Sequence, residues 1–188
     1  MRVGVIAVQG DFEKHLGALN ACGVDGLEVV EVRTPEDLAT VDRAIIPGGE
    51  STTVGLLMQR YGMAKALQRA AEAGMPIWGT CMGMILMAKT IVGRPQFSLG
   101  LLNIEVVRNA FGAQVHSFED EVKVVGMDTP VLGVFIRAPV VAKLAFPAEI
   151  LATYRGHVVG VRQGKLLGTS FHPELTDDAR LHRYFLDL

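Results

Sequence analysis

Along the first half of the chain, short apolar runs alternate with amphipathic stretches. Val3 to Val8 is a nearly continuous apolar run closed by Gln9-Gly10, the pattern of a strand buried on both faces of a parallel sheet. Phe12, Leu16 and Leu19 then share one helical stripe, with Gly23 at the expected C-cap. Glu28 to Val32 reads as the next strand. Thr34-Pro35-Glu36 follows as an N-cap, a first-turn proline and a first-turn acid of a short helix. Arg43 to Ile46 is a third strand, broken by the loop Pro47 to Thr53, which opens a helix running through Met58. A further helix is predicted over Ala64 to Ala73, stopped by Gly74-Met75-Pro76. Ile77-Trp78 starts another buried strand, and a helix begins over Met84 to Lys89 after the turn Gly79 to Gly83. This β-α alternation predicts a parallel sheet covered on both faces.

The second half has a different rhythm. Ile104 to Arg108, Glu121 to Val125, Leu132 to Ile136, Ile150 to Tyr154, Val158 to Arg162 and Leu166 to Ser170 all read as strands. Arg155-Gly156-His157 and Gln163-Gly164-Lys165 carry turn chemistry, so antiparallel strands should extend the sheet before a closing helix from about Asp177 to Leu186. No repeat, low-complexity tract or linker interrupts the pattern, and residues 1–188 are expected to form a single α/β domain.

Composition narrows the function classes. With 49% hydrophobic and 20% charged residues the chain has ample material for a core. Its net charge of -2 comes from interspersed charges and offers no footprint for nucleic acid or an anionic membrane. Mean hydropathy is +0.31, yet no stretch approaches the roughly 18–20 apolar residues needed to span a bilayer. The first residues read as a strand, not a signal peptide, because charged residues follow at once without a small-residue cleavage site. Two cysteines, Cys22 and Cys81, show neither disulfide nor metal-ligand spacing. No metal site is expected, and free thiols suit a reducing cytoplasm.

Three segments carry candidate chemistry. Gly79-Thr80-Cys81-Met82-Gly83 lies between a buried strand and a helix, and its flanking glycines permit the sharp turn on which hydrolase nucleophiles sit. Such an elbow holds the thiol above the C-terminal edge of the sheet and at the positive end of a helix. A merely packed cysteine fits this motif alone equally well. Ser170-Phe171-His172-Pro173-Glu174 ends the last strand. Residues two apart in an extended segment point the same way, so Glu174 can orient His172 as a general base. In Pro47-Gly48-Gly49-Glu50-Ser51-Thr52-Thr53, the glycines let backbone N–H groups face a developing oxyanion, and the hydroxyl cluster can cap the helix. Read in isolation, a Ser or Thr N-cap is the simpler account. A phosphate loop is a poorer fit, because its lysine is missing.

Together and in this order, the Gly-Gly loop, the G-x-C-x-G elbow and the C-terminal His-x-Glu resemble the class I, or triad, glutamine amidotransferases. Val8-Gln9-Gly10, Arg108-Asn109-Ala110-Phe111-Gly112, Phe135-Ile136-Arg137-Ala138-Pro139 and Ser170 to Thr176 extend the resemblance to the glutaminase subunits of two-component pyridoxal phosphate synthases. It spans nearly the whole chain, whose length suits that free-standing subunit.

The resemblance implies a three-layer α/β/α, flavodoxin-like fold with a mixed central sheet, and a Cys81, His172, Glu174 triad that hydrolyses L-glutamine through a thioester. Gly49, Glu50, Ser51, Arg108, Ile136 and Arg137 should line the glutamine site, with backbone N–H groups of Gly49 and Met82 as the oxyanion hole. Gln9 and Gly10 are candidate coupling elements. The implied partner is a (β/α)8-barrel synthase subunit in a large hetero-oligomer, which receives the ammonia. This chain needs no cofactor, since pyridoxal phosphate is the product of the pathway.

Met82 departs from the family pattern, which usually carries alanine after the nucleophile; a bulky thioether there can narrow the site or shift the elbow. Two alternatives remain open at this point. One is a glutaminase subunit of another amidotransferase, such as that of histidine biosynthesis; the other is a non-catalytic interaction subunit that keeps the fold.

Overall fold

A computed structural model describes residues 1–93, 95–111 and 117–188. Gly112, the last residue of the Arg108 to Gly112 block, lies outside the described residues. The parallel half of the sheet is built from β1 (Arg2–Ile6), β2 (Glu28–Val32), β3 (Arg43–Ile46), β4 (Ile77–Thr80) and β12 (Leu166–Thr169), hydrogen-bonded in the order β2-β1-β3-β4-β12. The order then continues β11 (His157–Gln163), β10 (Glu149–Tyr154), β7 (Ser117–Val124), β8 (Val131–Ile136), each pair antiparallel from β12 onward. The antiparallel extension expected for the second half is therefore present.

Alternation along the inner strands distributes the core to both faces. Ala44 and Ile46 point to one side and Ile45 to the other, and Ile77 and Trp78 divide in the same way. On one face pack α2 (Pro35–Leu38), α3 (Ser51–Arg60), α4 (Met63–Glu72) and α5 (Met82–Met87), contributing Leu38, Met58, Leu67 and Leu86. The other receives α1 (Phe12–Ala21) and α6 (Arg180–Leu186), with Leu19, Leu181 and Phe185 around the buried indole of Trp78. Strands covered on both sides need apolar residues at every position, which is why their runs are continuous.

Three expectations require correction. The helix predicted through Lys89 ends at Met87, because Ala88 turns to extended backbone and opens β5 (Ala88–Ile91), which pairs in parallel with β6 (Leu102–Val107). Val140–Leu144, not expected as a strand, forms β9; it runs antiparallel to β6 and bridges to β11, linking β5 and β6 to the main sheet. The closing helix starts at Arg180 instead of Asp177, since the Asp178 carboxylate accepts from the Arg180 N–H just ahead of it, at 3.1 Å.

Candidate active site

The register of two neighbouring parallel strands brings the chemistry together. Thr80 at the end of β4 pairs with Thr169 at the end of β12, and the N–H of Cys81 donates to the carbonyl of Thr169 at 2.7 Å. The next residue on each strand therefore leaves the sheet at the same edge. Cys81 does so at φ 49°, ψ -101°, a region an L-residue occupies only when its surroundings enforce it. Close packing supplies that enforcement. A Cβ on Gly79 would lie 2.4 Å from the carbonyl carbon of Gly83, and one on Gly83 would lie 2.1 Å from the carbonyl oxygen of Ile46. Only glycines let α5 seat this tightly on β3 and β4, and the elbow follows. The Cys81 thiol, 8% exposed, points to the Ile136 carbonyl at 3.8 Å.

His172 is fixed by its own N–H, which donates to the Val134 carbonyl at 2.8 Å. Nδ1 of the ring lies 2.7 Å from Oε1 of Glu174. The pair forms as expected, but for a different reason: Pro173–Leu175 is a single 3-10 turn, not extended chain, and this turn folds Glu174 back beneath His172. Burial works against charging the imidazole, but Cys81 and Glu174 outweigh it and push the His172 pKa up to about 10. Burial would likewise raise Glu174; the His15 ring and the His172 hydrogen bond oppose it, and the net shift is downward. The carboxylate stays ionised and His172 is built to carry a proton.

The Pro47 to Thr53 loop closes over this pair. A Cβ on Gly48 would meet Cε1 of His172 at 2.4 Å, and one on Gly10 would meet the Gly48 carbonyl oxygen at 2.0 Å. Gly10, at φ 109°, thus lies directly against the loop, and the Gln9 carbonyl lies 3.8 Å from the Cβ direction of Gly49. The N-cap of α3 is Glu50, not Ser or Thr. Its carboxylate accepts from the N–H groups of Thr52 at 3.0 Å and Thr53 at 2.7 Å, which hold its pKa at about 2. Glu50 therefore lines the site while its charge is spent on the helix end.

A cavity of about 300 Å³ joins these parts. Gly49, Glu50, Ser51, Cys81, Met82, Arg108, Ile136, Arg137 and His172 all line it, together with Asp11 and Asn109, which the sequence reading did not single out. Glu174 stands behind His172 instead of in the wall. Met82 is 1% exposed, and its terminal methyl reaches to 3.3 Å from the Cβ direction of Gly49, so the thioether packs under the loop. Gln96 was also missed. Its carbonyl oxygen accepts from Arg108 Nη1 at 2.6 Å and its amide donates to Ser51 Oγ at 3.1 Å, tying both residues to one hub. Nothing in the Pro95-Gln96-Phe97 loop announces that role. For His15 a sequence clue existed: it falls on the apolar stripe of α1, between Phe12 and Leu19, and is fully buried.

The assembled groups are a strained cysteine, an imidazole backed by a carboxylate, backbone donors on a glycine loop, and a guanidinium at the far wall. They suit nucleophilic attack on a carbonyl or amide carbon of a small polar substrate. The comparisons agree. The model of the SNO glutamine amidotransferase family matches residues 5–188. The pyridoxal 5'-phosphate synthase subunit PdxT of Moorella thermoacetica is 50% identical over 194 residues, covering 100% of this chain and 99% of the relative. The same subunit of Niallia circulans is 47% identical over 188 residues, covering 100% and 97%. A solved glutamine amidotransferase crystal structure superposes with a TM-score of 0.93 at 50% identity, over 98% of this chain and 97% of that one. The structure of PurLQS from Thermotoga maritima, with a TM-score of 0.67 at 21% identity over 99% and 97%, shares the fold.

Proposed function

Because the chain belongs to the SNO glutamine amidotransferase family, we propose a residue-level path for its reaction in this cavity. The chain is a glutamine amidotransferase, the glutaminase subunit of a pyridoxal 5'-phosphate synthase. With the Cys81 proton already held on His172, the Cys81 sulfur attacks the side-chain amide carbon of L-glutamine. The negative oxygen of the tetrahedral intermediate is held by the backbone N–H groups of Gly49 and Met82, donors of a kind whose loss costs about a hundred- to a thousandfold in rate. The His172 imidazolium, steadied by Glu174, protonates the leaving nitrogen; the C–N bond breaks and ammonia departs, leaving a glutamyl thioester. His172 then takes a proton from water, the hydroxide attacks the thioester, glutamate leaves and His172 keeps the proton. Arg108, held by Gln96, receives the substrate α-carboxylate, and Arg137 and the Ile136 backbone complete the amino-acid end. The observation that carries this path is His172, backed at 2.7 Å by Glu174, sharing one cavity wall with the elbow cysteine.

Residues 1–188 act as one glutaminase domain in a large assembly with the barrel synthase subunit. Free ammonia is lost to solvent, so docking of the synthase should complete the Gly48-Gly49 loop, through the Gln9-Gly10 contact that already touches it. We place the protein in the cytoplasm: both cysteines are free thiols, and among the described residues no helix is long and apolar enough to cross a membrane. Trapping with a glutamine-like electrophile, followed by mass spectrometry, tests the nucleophile: the adduct is expected on Cys81 and abolished in Cys81→Ala, and labelling of Cys22 overturns the assignment. Complementation of a vitamin B6 auxotroph, but not of a histidine auxotroph, is the expected outcome in cells.

A further inference from the structure

Behind the triad lies a buried polar chain that the reaction path does not use. Oε1 of Glu174 is taken by His172, but Oε2 is fully buried and, among the described residues, has no hydrogen-bond partner; Nε2 of His15 faces it at 3.4 Å without hydrogen-bond geometry. That same nitrogen lies 3.0 Å from Oγ1 of Thr80, the residue before the nucleophile, and Nδ1 of His15 lies 3.2 Å from Nε2 of His182 on α6. Both rings are fully buried and both pack against Trp78, with centroids at 5.8 Å and 5.0 Å.

The hydrogen-bond inventory selects one tautomer. Burial lowers the pKa of His15, more than Glu174 and Asp11 raise it and with His172 adding to the effect. Burial and His15 hold His182 at about 3, against smaller opposing effects of Glu174 and Asp178. Each ring therefore carries one N–H. If His15 carried it on Nδ1, its Nε2 lone pair would face the carboxylate, and the donor of His182 would be forced onto Nδ1, an atom with no partner. A buried donor left unsatisfied keeps the full penalty of its lost hydration. With His182 protonated on Nε2 and His15 on Nε2, both clashes vanish, and only a lone pair on His182 Nδ1 is left over.

We propose that His15 is a positioning residue for the catalytic carboxylate: its Nε2–H, held in that tautomer by His182, donates to Thr80 Oγ1 and turns its positive end toward Oε2 of Glu174 at 3.4 Å, while Oε1 holds His172. The role rests on the Cys81, His172, Glu174 reading above. A carboxylate tethered at one oxygen can rotate about its Cγ–Cδ bond; with its second oxygen drawn toward the His15 N–H dipole it favours one angle to the imidazole, and small losses of such alignment reach a hundredfold in rate.

The test is glutamine hydrolysis by the complex with the synthase subunit, comparing wild type, His15→Leu, His15→Gln, His182→Phe and Cys81→Ala. His15→Leu is expected to lower kcat roughly tenfold to a hundredfold with KM within about twofold. The basic limb of its pH profile should move to lower pH, because a loosely held Glu174 raises the His172 pKa less. His15→Gln keeps a donor near the Nε2 position and should recover most of kcat and the wild-type limb. His182→Phe should fall between them. A purely structural role would lower the melting temperature and leave the limb in place. An unchanged kcat and limb in His15→Leu, or a His15→Gln as impaired as His15→Leu, overturns the proposal; where His15→Leu does not fold, an unchanged kcat and limb in His182→Phe does so. Residual glutamate release by Cys81→Ala would instead overturn the triad itself.

Discussion

A methyl group added to Gly48 would press to 2.4 Å on Cε1 of His172 and to 3.1 Å on Nδ1, the atom that Glu174 holds at 2.7 Å, so the ring can retreat only by straining that hydrogen bond. Gly48→Ala should therefore displace His172 and, on the proposed path, cut kcat by about a hundredfold with little change in melting temperature, which steady-state kinetics and a thermal scan will separate. Met82 tests the opposite relation. Its side chain is buried in the helix-side core and supports the loop from below, so the bulk that departs from the family pattern lies beneath Gly49. Met82→Ala should cost about 2–3 kcal/mol in chemical denaturation, the low end for a core methionine, since the loop above can settle into the space. At this scale Cys81 and His172 were legible because an elbow and a His-x-Glu are local spellings. Gln96 was not, and the stripe of α1 marked His15 only as buried: their meaning lies in partners such as Arg108 and Ser51, or His182 and Glu174, which only tertiary packing supplies.

Elements matched the sequence reading where one local rule dominated. Strands β2 and β3 fall at the expected bounds because both are short and clearly punctuated. The capping box of α2 forms at Thr34, with Asp37 reciprocating. Strands β5 and β9 escaped because four or five residues of mixed polarity acquire strand geometry only by pairing with β6. The cap of α3 shows a related limit. Hydroxyls at Ser51 to Thr53 suggested the cap, yet Glu50 accepts both N–H groups. Glu50→Ala should destabilise the protein by about 1 kcal/mol and raise KM by shifting Ser51, as urea melts and kinetics can show. Since Glu50 is depressed in the fold from 4.5 to about 2, its stabilisation is complete above about pH 4.5 and fades as pH falls toward 2. The difference between wild type and Glu50→Gln should shrink over that window.

For the whole molecule, the division of the chain into a parallel and an antiparallel half was readable, because continuous apolar runs give way to turn-linked strands. The order in which those strands lie was not, since register and neighbours are decided by long-range pairing. One global property follows from two buried histidines. The unfolded chain protonates His182 below about pH 6.5, while the folded chain resists until about pH 3, so the unfolded state binds more protons and stability falls as pH drops through this range. One such group contributes a slope of up to about 1.4 kcal/mol per pH unit. Denaturation of His182→Phe between pH 6.5 and 5 should show a shallower decline than wild type.

The place of β12 bears on how such an enzyme is made. This strand comes from the last part of the sequence, yet it sits in the interior of the sheet, between β4 and β11. During synthesis Cys81 emerges long before His172, and β4 has an unpaired edge until residues 166–169 arrive to fill the gap. Insertion of that one strand completes the sheet and delivers His172 to Cys81 in the same event. A half-made polypeptide therefore holds Cys81 and His172 apart, and closing the sheet is what joins them.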